Sequence, residues 1–289
     1  MIAVGYNGGA DSAAALEWAA TEARRRQTQL RIVHALNLPA VLTGPAGDAG
    51  AVPDEVMDSA ERMTAEAEKR ATDSGATDVT SEVRLGSPAG VLVEESKDVD
   101  LLAVGSRGRG ELVSALRGSV ALAVSAHAAC PVVIVRGDGQ RPIGADHPVV
   151  VGVDGSKQAA KAVTFAATQA ERAGCELRLV GAWHLPTADG YTAEYWAWAN
   201  AEEMRIASRE ASVQALEEAR SELHSTHPDL TVITRVLLGD PATVLRENSR
   251  DAGLVVVGSR GREGFTGLLL GSVSHRVIHE ASGPVAVVR

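Results

Sequence analysis

Short continuous runs of Val, Leu, Ile and Ala alternate along the 289 residues with longer stretches in which apolar positions recur every three or four. The continuous runs, bounded by Gly, Pro or charged residues, predict strands buried on both faces. They fall at 2–5, 30–35, 79–85, 101–105 and 132–136, and again at 149–153, 176–182, 231–238, 254–258 and 285–289. The amphipathic stretches predict helices at 12–26, 54–74, 88–96 and 120–128, and in the second half at 273–281 and over a long segment before residue 231. Strand–helix alternation of this kind predicts an α/β fold, with parallel sheets covered by helices on both faces.

The pattern runs twice. Leu30 to Pro39 reads L-R-I-V-H-A-L-N-L-P and aligns without a gap on L-R-L-V-G-A-W-H-L-P from Leu177 to Pro186, an offset of 147. Further on, L-G-S-P-A-G-V-L from Leu85 matches L-G-D-P-A-T-V-L from Leu238, an offset of 153. The second copy has therefore gained six residues in its middle. Self-similarity over this length predicts two tandem domains of one fold, each a doubly wound, Rossmann-like parallel sheet of five strands. The expected boundaries are 1–136 and 148–289, joined by a linker at 137–147 that is rich in Gly, Pro and charge.

Within each copy the fourth strand runs into Gly-Ser-Arg-Gly, then nine residues, then Gly-Ser and a helix. Glycines leaving a buried strand permit a sharp turn and a close approach to the main chain. A helix headed by Gly-Ser offers unpaired amides, a hydroxyl and the positive end of the helix dipole. Together they make a candidate phosphate cradle. In open α/β sheets ligands sit beyond the carboxyl ends of the strands, where strand order reverses. That placement adds the ends of the first strands, Gly5 and Asn7 in one copy and Gly152 and Asp154 in the other. The candidate cradle residues are Gly105, Ser106, Arg107, Gly108, Arg109, Gly118, Ser119 and Val120, and in the second copy Gly258, Ser259, Arg260, Gly261, Arg262, Gly271, Ser272 and Val273.

Charge and composition narrow the ligand. The net charge is −9, and residues 1–136 carry 13 Lys and Arg against 18 Asp and Glu. The basic field of a nucleic-acid binder is absent from the sequence, and aromatic residues at 3% supply few stacking platforms. No apolar run approaches the roughly 20 residues that span a bilayer, and the start MIAVGYNGG lacks a basic leader. A cytoplasmic location is expected. Cys130 and Cys175 sit at non-equivalent places in the repeat and are expected as small buried apolar residues rather than a disulfide.

These residues bring the chain close to a known family. It resembles the universal stress protein family in its tandem form, over nearly its whole length. The resemblance rests on G-x2-G-x9-G-[ST] after each fourth strand and on V-G-V-D-G-S from Val151 to Ser156. It implies the fold that universal stress proteins share with adenine nucleotide α-hydrolases. It also implies one ATP per domain, optionally with Mg2+, adenine and ribose near the first strand, and phosphates on the glycine turn. A regulatory role in stress, an unidentified protein partner and a homodimer of the tandem chain are further expectations. In the first copy Asn7 stands where the family carries aspartate, keeping an acceptor but losing the charge. Nucleotide binding by the first domain is thereby the less secure of the two.

Other readings stay open at this point. The glycines can serve as turns alone, with sheet edges as the only binding surfaces. The run Gly8, Gly9, Ala10, Asp11, Ser12 is similar to the S-G-G-x-D-S loop of ATP pyrophosphatases, which would make the protein an adenylating or ATP-hydrolysing enzyme. Its leading serine is replaced by Asn7 and the second copy lacks the pattern, so a tight strand–helix turn is the favoured reading and no catalytic residue is assigned. His275 and His279 share a helix face at metal-ligand spacing without an evident third ligand, so no metal site is assigned. His34 and His184 lie near second-strand ends at non-equivalent places. The cluster Tyr195, Trp196, Trp198 is read as a packed helix face, or else as an interface or lid.

Overall fold

The apolar runs of the first half form β1 (Ile2–Gly5), β2 (Leu30–Leu36), β3 (Val79–Leu85), β4 (Leu101–Gly105) and β5 (Val132–Val135). Between them lie α1 (Ala10–Arg26), α2 (Asp54–Asp73), α3 (Pro88–Glu95) and α4 (Ser119–His127). The second half repeats the order with β6 (Val149–Gly152), α5 (Lys157–Ala173), β7 (Leu177–Trp183), α6 (Tyr191–Thr226), β8 (Val232–Leu238), α7 (Pro241–Asn248), β9 (Leu254–Gly258), α8 (Ser272–Glu280) and β10 (Val285–Val288). This is a computed structural model, which describes residues 1–37, 52–107, 118–137, 141–184, 191–262 and 269–289, with 191–201 described by backbone alone. The chain divides into two compact units, Met1–Gln140 and Arg141–Arg289.

In the first unit the strand order is β3-β2-β1-β4-β5, all parallel. In the second it is β8-β7-β6-β9-β10, again parallel. The chain starts at a central strand, fills one side, then crosses to the other, so order reverses between β1 and β4 and between β6 and β9. At that reversal the loops leave in opposite directions and open a crevice at the carboxyl ends. Register fixes the crevice walls: Gly5 lies beside Val104 and Val151 beside Val256.

The central strands are apolar on both faces because helices cover both. Ile2, Ala3, Val4, Leu101, Leu102 and Ala103 are fully buried, as are Val149, Val150, Val151, Leu254 and Val256. The edge strands β3 and β8 have only intermediate and exposed positions. α1 and α5 place small residues against the sheet (Ala15, Ala19 and Ala20; Ala162, Ala166 and Ala170), which brings each helix close to the strands beneath. At the inter-repeat stretch, Ile143 is buried and a Cβ on Gly253 would come within 2.7 Å of its Cα, so this part of the expected linker packs on the second unit.

α6 is much longer than its counterpart α2, 36 residues against 20. Ser212 and Ser208 donate to the carbonyls of Ala182 and His184 at the end of β7. The preceding part of the helix, about four turns, therefore extends past the strand ends. The side chains of Tyr195, Trp196 and Trp198 in that part lie outside the described residues. Both cysteines are buried and neither is in a disulfide, and burial pushes the Cys130 thiol up to about 12, un-ionised at neutral pH.

One polar cluster joins α3 to two strands of the first sheet. The Glu95 side chain, 2% exposed at the end of α3, accepts from Arg31 Nη1 of β2 at 2.9 Å and from Arg84 Nη1 of β3 at 3.2 Å. The repeat places Asn248 there in the second unit, where its Oδ1 accepts from Arg235 at 3.2 Å. Replacing Glu95 by Ala strands two guanidinium groups that remain about one-third exposed. The expected loss is about 2 kcal/mol, below the several typical of a fully buried pair. Glu95→Gln, which keeps an acceptor, should lose less than half of that in urea denaturation of the first unit.

Candidate functional site

In the second unit β6 delivers the chain to Val153 and Asp154, and Gly155 then turns it with φ +78°, a conformation suited to glycine. Ser156 caps α5 by accepting the Ala159 amide on Oγ at 3.1 Å. Asp154 Oδ1 accepts the Ser156 amide at 2.9 Å, an Asx turn that fixes the carboxylate at the strand end. Asp154 Oδ2 accepts the main-chain amide of Arg262 at 3.2 Å. The acidic residue after the first strand and the glycine turn after the fourth are thus brought into contact. A carboxylate has roughly four lone-pair sites, so two remain for hydroxyl or amine donors.

The turn closes on itself. Ser259, buried, donates its amide to Val288 at 2.7 Å, continuing the sheet by one residue, and its carbonyl accepts the Gly271 amide at 2.8 Å. The start and end of the G-x2-G-x9-G excursion are therefore hydrogen-bonded to each other, which seats the head of α8 beside residues 259–261. Each glycine serves a different close approach. A Cβ on Gly258 would lie 2.9 Å from the Gln158 main chain, one on Gly261 2.6 Å from Asp154 Oδ2, and one on Gly271 3.3 Å from Arg260 Cα. Gly152 differs: the room it leaves is taken by Leu245 of α7, 3.0 Å away, so packing accounts for it.

No side chain caps α8, whose N-cap is Gly271. Its first-turn amides, those of Ser272 and Val273 among them, lack acceptors within the helix and carry the positive end of its dipole. Ser272 is exposed. Ser274 Oγ donates to the Gly258 carbonyl at 2.6 Å, and Arg276 bonds Asp240 at 2.8 Å and Glu280 at 3.3 Å. Asp240 is the cap of α7; burial works to raise its pKa, but the Thr243 amide and hydroxyl and the Arg276 guanidinium outweigh it and hold the carboxyl below its usual value. Nε of Arg260 is buried without a hydrogen-bond partner among the described residues. An anion at the α8 head would supply the missing acceptor if it reached that nitrogen.

The first unit keeps the plan with different parts. Asn7 Oδ1 accepts the Gly9 amide at 2.9 Å, the same Asx turn that Asp154 makes. Ser12 Oγ lies 2.8 Å from both Asn7 Oδ1 and the Gly9 carbonyl. A Cβ on Gly105 would strike the main chain of Asp11 and Ser12 at 2.7 Å, and Gly5 gives way to Leu92 at 2.8 Å. Ser106 continues the sheet through its amide to Val135 and donates its hydroxyl to Asp11 Oδ2 at 2.6 Å. Gly118 caps α4 with φ +85°, leaving Ser119 and Val120 in the first turn. Gly108 and Arg109 lie outside the described residues.

The remaining sequence candidates make contacts within the fold or stand exposed. Asp11 and Ser12 spend their polar atoms within the turn and on Ser106 and Gly137, so the Gly8 to Ser12 run is a strand–helix connection here. Asp11 was legible only as a turn residue; its link to Ser106 joins positions 95 apart and leaves no local signal. His275 and His279 face each other at 4.7 Å between ring centroids, and no cluster of three His, Cys, Asp or Glu forms a metal site among the described residues. His34 Nδ1 pairs with the Tyr6 carbonyl at 2.8 Å at the exit of β1, while His184 is exposed. No helix among the described residues is long and apolar enough to cross a membrane.

Comparison with known proteins covers both units. Residues 1–136 and 147–289 each match the Universal stress protein family. A universal stress protein of Mycolicibacterium smegmatis is 37% identical over 298 residues, spanning 100% of this chain and 96% of that protein. One of Mycobacterium tuberculosis is 35% identical over 299 residues with the same coverage. Among solved structures, a universal stress protein from Archaeoglobus fulgidus covers 100% of this chain and 98% of its own at 22% identity, with a TM-score of 0.68, a likeness of fold.

The close approach at Gly258 is open to a direct test. Gly258→Ala puts a methyl against main-chain atoms that cannot rotate aside, and is expected to lower the second unit's stability by about 1–3 kcal/mol. Gly144→Ala, with nothing within 4 Å, should change it by less than about 0.5 kcal/mol. Thermal denaturation of the two variants beside the parent protein measures the contrast.

Proposed function

The chain belongs to the universal stress protein family, and on that footing we propose that it is an ATP-binding regulatory protein rather than an enzyme with useful turnover. The observation that carries this reading is the convergence, in the second unit, of Asp154, residues 258–262 and the uncapped head of α8 at the carboxyl ends of β6 and β9. Phosphates suit the α8 end, where amides, dipole and the unmatched Arg260 Nε offer only donors. Ribose or adenine suits the Asp154 end, which offers only an acceptor. Mg2+, if it accompanies the nucleotide, would be held by the phosphate oxygens.

The regulatory half of the reading rests on the family to which the chain belongs. Binding energy then goes into stabilising one conformation of the chain, which a protein partner or a second copy would read.

Native mass spectrometry of the full chain titrated with ATP tests the proposal. The expected result is at least one bound nucleotide per chain and one fewer in Gly261→Val, whose side chain must displace Asp154, while circular dichroism stays unchanged. Incubation with radiolabelled ATP and Mg2+ should release no ADP, AMP or pyrophosphate above background. Absence of bound nucleotide at millimolar ATP would overturn the binding claim, and sustained release of product would overturn the regulatory one.

A further inference from the structure

The two clefts differ in charge at a residue that the glycine motif does not contain. The second residue of α1 is Asp11; the 147-residue offset puts neutral Gln158 at that place in α5. Asp11 is 7% exposed. Its Oδ2 accepts the Ser106 hydroxyl at 2.6 Å, its Oδ1 accepts the Gly137 amide at 3.1 Å, and Arg107 Nε stands 3.9 Å from Oδ2. Ser106 and Arg107 are the second and third residues of the first glycine turn. A carboxylate thus lies directly behind the main chain that would carry phosphates, and it already engages the neighbouring arginine. At the matching place in the second unit the side chain is uncharged, and Arg260 Nε is without a partner among the described residues.

Asn7 forms the same Asx turn as Asp154 without its charge, so each cleft carries one carboxylate on its glycine turn: Asp154 on the Arg262 amide in the second, and Asp11 on the Ser106 hydroxyl and beside Arg107 in the first. The place of the charge is what differs. Repulsion from a buried carboxylate is weakly screened by salt and grows with the number of charges on the ligand. An uncharged nucleoside would be nearly indifferent to it and a triphosphate would feel it most.

Resting on the reading of both clefts as nucleotide sites, we propose that Asp11 is the specificity-determining residue of the first cleft. Its carboxylate selects against polyphosphate, so that the first unit favours an uncharged nucleoside over ATP and the triphosphate goes to the second. The residue acts through Ser106 and Arg107, which it positions and partly neutralises, and through its own field.

Stepwise affinities of the full chain for ATP and for adenosine, measured by native mass spectrometry and calorimetry, test this. The parent protein should bind one ATP strongly and a second on the order of ten-fold or more weakly, a gap one nearby charge can supply. Asp11→Asn should tighten the weaker ATP step by on the order of ten-fold and leave adenosine affinities within about two-fold. Gln158→Asp, at a half-buried position, should weaken the stronger ATP step by a similar factor, again sparing adenosine. Equal effects on ATP and adenosine would reduce position 11 to a structural role and overturn the proposal, as would no effect on either. Should Asp11→Asn not fold, Gln158→Asp decides the matter alone. A parent protein that binds neither ligand would instead sink the nucleotide reading itself.

Discussion

Main chain meeting main chain, with no side chain in between, is the constraint on which this architecture depends. The Gly271 amide bonds the Ser259 carbonyl, and Gly258 lies against the first turn of α5 at a separation that no Cβ would permit. These contacts hold the head of α8 beside the residues that leave β9. Because the approach is made by backbone, the donors it presents are amides, fixed in direction and insensitive to pH. The spacing of the glycines is thus a statement about geometry first and about a ligand second.

Duplication then allowed the two copies to solve the same problem differently. In the second unit a carboxylate on the first-strand turn holds the glycine turn through the Arg262 amide. In the first, the carboxylate sits one helical turn further on and holds the Ser106 hydroxyl. Either bond ties the two loops of the crevice together. They leave one carboxylate at different places around the cradle. The same drift is visible away from the cleft, where buried Glu95 with two arginines corresponds to Asn248 with one.

Most of the fold was legible in the sequence because central parallel strands are buried on both faces and read as unbroken apolar runs. The observed β1, β3, β4 and β9 have the expected bounds, 2–5, 79–85, 101–105 and 254–258, and the other strands differ by a residue at one or both ends. Helix ends moved where capping decided them: α1 begins at Ala10, before the expected Ser12, since Gly9 rather than a hydroxyl residue is its cap. The glycine spacing pointed to the crevice, but it could not distinguish Gly152, whose space is filled by Leu245, from Gly261, whose space abuts Asp154. Nor could it reveal Asp11, whose partners lie 95 and 126 residues away. Long-range polar pairs of this kind carry no periodicity, so only the folded chain displays them.

Amide-resolved NMR of the isotopically labelled chain during titration with ATP addresses the central claim most directly. If the α8 head and the glycine turn form the phosphate cradle, the largest shifts will fall on the amides of Gly261, Arg262, Ser272 and Val273. Saturation with ATP that leaves those four unmoved, or that moves only amides at the opposite, amino end of the sheet, would contradict it.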